Sequence, residues 1–204
     1  MSGNLAKTRA MSDPATDPLS AWLTASAETI ASYRKMIDAA VAQLSDDEFF
    51  ARPSPHLNSV AVLLRHLAGN LRSRWTDFLT TDGEKPDRNR DAEFLDWPGD
   101  RASLLAEFDR GWGCLAAVPG QLNAGNIGTP IFIRGERHTI PQALSRSIAH
   151  VAYHAGQILL ISRVVHSGEW KWLTIAPGGS ARHNQSTWGT AASRGVFGKD
   201  DPSR

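Results

Sequence analysis

The chain has 204 residues, and its 22 basic and 21 acidic side chains leave a formal charge of +1 at neutral pH. That length supports one domain with a real core, and so even a charge balance gives nucleic acid or an anionic membrane nothing to grip. The single Cys114 excludes an internal disulfide, and no apolar run reads as a leader or approaches the roughly 18 residues of a membrane span, so a soluble cytoplasmic protein acting on a small molecule is expected.

Residues 1–16 are small and polar without periodicity and are expected to form a disordered arm. Asp17 can cap a first helix and Pro18 can take its first position, with Leu19, Trp22, Leu23, Ile30, Tyr33, Ile37, Val41 and Leu44 at steps of three and four and an end near Gln43. Ser45-Asp46-Asp47-Glu48 is a capping box for a short extra turn, and Pro53 and Pro55 interrupt the chain before Ser59 caps the second long helix. The stripe Leu63, Leu64, Leu67, Leu71, Trp75 and Phe78 carries that helix to about Leu79. Residues 81–97 are dense in charge, Gly and Pro and read as a long crossover, solvated or tied down by its own ion pairs, with a structural role only.

Asp100 can cap the third helix, with Leu104, Leu105, Phe108, Trp112 and Leu115 inward and Pro119-Gly120 as the stop. Residues 125–138 predict a short hairpin or an extended loop. Thr139-Ile140-Pro141-Gln142 is another capping box, opening the fourth helix through Leu144, Ile148, Val151, His154, Ile158, Ile161 and Val165, with Gly168 as the stop. The fold class is all-α, a four-helix bundle over residues 17–184 whose long crossover lets the second and third helices run parallel. Trp170 to Ser180 is too aromatic for a solvated tail and is expected to pack back on the bundle or on a second subunit; with Trp22 and Tyr33 exposed as well, a two-fold homodimer is expected, followed by a flexible tail over 185–204.

The chemistry-bearing stretch is His150 to Gln157, inside the fourth helix. Histidines four apart share one helix face, close enough for both imidazoles to reach one ion. Seven histidines in 204 residues give about 0.2 such pairs by chance, so the spacing needs support. His66, at the edge of the second helix's stripe, supplies it: with the two helices as neighbours, His66, His150 and His154 converge as three neutral ligands with positions left open. The competing view makes His150 and His154 hydrogen-bonded core residues and His66 a surface residue. Asn70 and Gln157, one turn beyond His66 and His154, are candidates to orient the ligands, or else surface amides. Arg146, one turn before His150, is a candidate to hold a substrate or thiol carboxylate, or else a salt-bridge partner. Cys114 reads as an inert core thiol, and His56, His138, His166 and His183 are recruited by no geometry.

On these residues the chain resembles the DinB-like (YfiT-like) superfamily, whose members carry one metal-site His on the second helix and two, four apart, on the fourth. It resembles a subgroup of unknown function in Gly69 to Lys85, Ala149 to Ile158 and Trp172 to Ser180. The resemblance implies a divalent metal, zinc or nickel before iron or manganese, on His66, His150 and His154, and a metal-dependent S-transferase working with a low-molecular-weight thiol. No catalytic residue beyond the ligands is assigned. A metal-dependent hydrolase is the alternative, and a non-catalytic metal-binding scaffold is a third. The sequence offers no His-Glu pair or inward carboxylate as a base for water, which favours the thiol.

Overall fold

The computed structural model describes residues 17–187, so the arm expected at 1–16 and most of the tail expected at 185–204 lie outside the described residues. The chain divides into two compact units between Ser167 and Gly168. The described part is predominantly helical. In the first unit these are α1 (Pro18–Val41), the short α2 (Asp46–Phe50), α3 (Val60–Trp75), α4 (Arg101–Ala116), the single turn α5 (Val118–Gln121) and α6 (Ile140–Val165). A hairpin of β1 (Ile131–Ile133) and β2 (Glu136–His138) precedes α6, with Ile131 opposite His138 and Ile133 opposite Glu136. In the second unit Gly178, at φ +77°, leads into α7 (Ser180–Thr187).

Each long helix starts where its capping residue demands. Asp17, Ser59, Asp100 and Thr139 accept the backbone N–H of Ser20, Val62, Ser103 and Gln142, which satisfies donors that the first turn leaves orphaned. Both expected capping boxes are formed, at Ser45/Glu48 and Thr139/Gln142.

α3 packs along α4 and α6, and α1 along α6. α3 is buried along most of its length, with Leu63, Leu64, Leu67 and Leu71 all at 2 % exposure or less, and only its polar side chains Arg65, Asn70, Arg72 and Arg74 reach towards solvent. Burying each leucine contributes about 1.5–3 kcal/mol. Gly111 lets α4 lie against α3, since a Cβ there would meet the Ala68 backbone at 2.7 Å. Arg101 donates to the carbonyls of Leu44 and Val41, closing the end of α1.

Two boundaries differ from expectation. α3 stops at Trp75 rather than Leu79: Thr76 turns extended, its hydroxyl donates to the Arg72 carbonyl, and Asp77 takes a left-handed φ of +47°. Phe78 is nevertheless buried, so the apolar stripe outlives the helix. Pro119-Gly120 does not stop α4, which ends at Ala116; Pro119 sits in the first turn of α5, where its missing N–H is harmless. α6 runs between its expected bounds and is long and apolar enough, by length and composition only, to cross a membrane, with a mean hydropathy of 1.2. It is the core helix here, with Leu144, Ala155 and Ile158 fully buried.

The segment between α3 and α4 folds back over the α3/α6 seam. Asp82 accepts the backbone N–H of Glu84, Arg134 and Gly135, and Gly83 donates to the Phe132 carbonyl, so this segment and the hairpin are stapled together. Burial opposes the Asp82 charge, and the three backbone donors outweigh it, holding its pKa below the usual carboxylate range. Arg134 and Gly135 form the hairpin tip at φ +57° and +75°, a tight turn that asks for left-handed residues at both positions; an arginine there costs about 1–2 kcal/mol.

Candidate metal centre

Because α3 and α6 are neighbours, His66 meets His150 and His154. The Nε2 of His150 lies 3.2 Å from Nε2 of His66 and 3.1 Å from Nε2 of His154. His66 is 4 % and His154 7 % exposed, so the view that places His66 on the surface fails. The expected convergence holds, and this is the one group of ligating side chains among the described residues that could hold a metal ion.

The outer nitrogens decide what the inner ones can do. His66 Nδ1 lies 2.9 Å from Oε2 of Glu93, and Glu93 is itself gripped by Arg88, with Nε on Oε1 at 2.8 Å and Nη2 on Oε2 at 2.9 Å. Burial opposes the charge on Glu93, but the hydrogen bonds from His66 and Arg88 prevail and hold its pKa below the ordinary value. An ionised carboxylate only accepts, so His66 must donate from Nδ1, and as a neutral ring it turns a lone pair inward from Nε2. The carbonyl oxygen of Gln157 accepts from His154 Nδ1 at 2.8 Å and fixes the same tautomer, while the Gln157 amide donates to the Tyr153 hydroxyl at 3.0 Å. Two inward lone pairs thus face His150 Nε2, which carries at most one proton. A cation resolves that conflict.

The spacing agrees. Zinc–imidazole bonds of about 2.0–2.1 Å place neighbouring nitrogens about 3.3 Å apart in a tetrahedron and about 2.9 Å apart on an octahedral face. The 3.1 and 3.2 Å separations on either side of His150 lie between these, and the three ligand atoms all fall within 4.8 Å of one another, a group that could hold a divalent ion without choosing one. The two α6 rings also stay neutral: burial, then His154, His66, Arg74 and Arg88, lower the pKa of His150 to about 3. Burial and His66 lower His154 to about 4, against the pull of Gln157. Neutral imidazoles are what a metal requires. His150 Nδ1 is buried without a hydrogen-bond partner among the described residues.

Of the residues singled out by sequence, Gln157 is the one that hydrogen-bonds a ring of the triad, His154. Asn70 and Arg146 line a cavity of about 170 Å³ beside His66 and His150, but neither contacts an imidazole in a hydrogen bond. Cys114 is half-buried rather than a core thiol; it donates to the Arg110 carbonyl and lies 3.6 Å from the Thr76 hydroxyl. His166, at the end of α6, pairs with Glu48 instead and is not among the three converging imidazoles.

The main correction concerns residues 81–97. Ion pairs do tie this segment down, as allowed for, yet it is not structural alone: it delivers Glu93 to His66 and stacks Phe94 on the His66 ring at 4.7 Å. An inward carboxylate therefore exists. One signal for it lies in α3. Gly69 leaves the space that Glu93 fills, since any Cβ there would overlap Glu93 Oε1. A larger groove, about 720 Å³ along α1 beside Trp112, contains no imidazole.

No curated protein and no solved structure matches this chain. A family model described as "Protein of unknown function (DUF1572)" matches residues 18–179, most of the chain and all three histidines, and the chain belongs to that family.

Proposed function

We propose that the protein is a metal-dependent transferase that uses a low-molecular-weight thiol, built as a DinB-like four-helix bundle with residues 81–97 in its long crossover. The observation that carries this reading is the inward-facing set of lone pairs on His66 and His154, fixed by Glu93 and Gln157. A divalent ion bound there would favour the anionic form of a thiol or a water in an open position. Glu93 and Gln157 would hold the ligand rings in place, and Phe94 would shield the Glu93–His66 contact from water.

The choice of thiol over water rests on the absence of a free base. Glu93 is saturated by His66 and Arg88, and no other carboxylate lines the cavity beside the triad. Water attack asks for such a base more than an already acidic thiol does. The test is elemental analysis of untagged protein together with a thiol-consumption screen against electrophiles. About one divalent ion per chain and metal-dependent loss of thiol are expected. Turnover of esters or phosphoesters without thiol would instead favour a hydrolase, and metal binding without turnover in either screen a binding protein.

A further inference from the structure

The cavity beside the triad is lined by five arginines, Arg74, Arg88, Arg90, Arg134 and Arg146. Two carboxylates pair within the set. Glu84 bridges Arg74, Arg88 and Arg134, and Glu93 holds Arg88. Asp82, stapling the hairpin, adds a third negative charge nearby. Even so, two guanidiniums remain unneutralised. Arg146 makes no ion pair or hydrogen bond among the described residues, and Arg90 only lies over the Phe94 ring at 5.1 Å.

Surface arginines are commonly solvated and mean little; two features separate these from that case. Arg88 and Arg74 have side-chain exposures of 4 % and 12 %, so their charges are withdrawn from water. Burial pushes the Arg74 guanidinium below its usual pKa, Glu84 opposes this, and Arg88, Arg146 and Arg134 add to the depression: the cations feel one another. Arg134, moreover, stands in a left-handed turn position that suits glycine or asparagine, anchored there by Asp82. The fold maintains a cationic concavity against a backbone preference.

We infer that this cavity is an oxyanion subsite that receives a carboxylate or phosphate group of the small-molecule substrate, with Arg146 and Arg90 as its free binding heads and Arg74 and Arg134 as its walls. Guanidiniums match both groups through paired N–H donors. At about 170 Å³ the space takes a head group, whereas a whole drug-sized ligand needs roughly 300–1,000 Å³. The rest of the substrate lies towards His66 and His150, which line the same cavity. This role as a substrate subsite rests on the metalloenzyme reading; the cavity's charge does not.

Calorimetric titration of inorganic phosphate, malonate and the neutral malonamide into metal-loaded and chelator-stripped protein tests it. Phosphate or malonate should bind and malonamide should not, with affinity falling as salt rises. Arg146→Gln, at an exposed position, should weaken binding about 10-fold and the Arg90→Gln/Arg146→Gln pair further, with the metal-to-chain ratio unchanged. The stronger of the two anions tells a phosphate ester from a carboxylate. Arginine-dependent anion binding by protein that takes up no metal when dialysed against Zn²⁺ and Ni²⁺ would keep the subsite and sink the metalloenzyme reading. Metal-loaded protein that binds neither anion, or binds them equally well in the arginine variants, overturns the subsite and leaves the metal centre standing.

Discussion

Two histidine–carboxylate pairs, built alike, do different work in this molecule. Glu93 and His66 are 2.9 Å apart with side chains 8 % and 5 % exposed; Glu48 and His166 are 3.3 Å apart with side chains 13 % and 14 % exposed. Glu48 also accepts from the backbone of Ser45 and Ser167 and from the Ser167 hydroxyl, so it ties α2 to the end of α6. Its pKa falls to about 2, chiefly through the Ser45 and Ser167 backbone donors, with His166 a minor cause. Behind His66 stand two further imidazoles, whereas His166 belongs to no such group. A carboxylate that orients an imidazole becomes part of a metal site only when the ring's far nitrogen has other ligands to meet.

The largest expected effect follows from removing a ligand. His150→Ala or His154→Ala should abolish metal retention, measured by elemental analysis, while helical circular dichroism is largely preserved, because two imidazoles cannot hold an ion that needs three. Either variant still retaining one ion per chain would show that the metal sits elsewhere.

Next in size is the contrast between the two carboxylates. Glu93→Gln should weaken metal affinity about 10- to 100-fold by removing the charge that fixes His66. Gly69→Ala should weaken it too, by displacing Glu93 without touching a ligand. Glu48→Gln should leave metal affinity unchanged and lower the thermal midpoint, since its bonds hold α2 and the end of α6 together. Equal metal affinities for Glu93→Gln and Glu48→Gln would erase the distinction.

Acidification separates the same two regions. The folded-state pKa values of His150 and His154, about 3 and 4, lie below the ordinary 6.5, so in that window the unfolded chain binds protons that the folded chain does not. Their contribution is complete above pH 6.5 and is lost as pH falls towards 3–4. Glu48 holds its contribution down to 4.5 and loses it only towards 2. Denaturant titrations of metal-free protein should therefore show stability declining from pH 6.5, before the Glu48 link weakens. A flat profile between pH 6.5 and 5 would contradict neutral His150 and His154.

The helices and the triad were legible in sequence because both are local patterns. Capping residues Asp17, Ser59, Asp100 and Thr139 announce helix starts, and His150/His154 share a face by period alone. Glu93 was not legible, since it sits 27 residues from His66 in a segment whose composition matches a solvated loop. Its burial depends on Arg88, on Gly69 and on the hairpin stapled by Asp82, none of which a periodicity can join. The arginine-lined cavity was hidden likewise, because its members come from α3, the 81–97 segment, the hairpin and α6.

The smallest expected effect sets the two orienting groups of the triad against each other. Gln157 does for His154 what Glu93 does for His66, but with a neutral carbonyl, and a neutral hydrogen bond contributes about 0.5–1.5 kcal/mol where a charged one reaches about 1.5–3. Gln157→Ala should therefore weaken metal affinity only about 3- to 10-fold, well short of Glu93→Gln. Gln157 sits near the helix surface beside the exposed Tyr153, so water can replace the lost acceptor more readily than it can reach the buried Glu93. Competition against a chelator of known affinity, run on both variants, resolves the ranking. Should Gln157→Ala prove the more damaging, the tautomer of His154 rather than that of His66 would govern the site, and the Glu93 link would be mainly a way of fastening the loop.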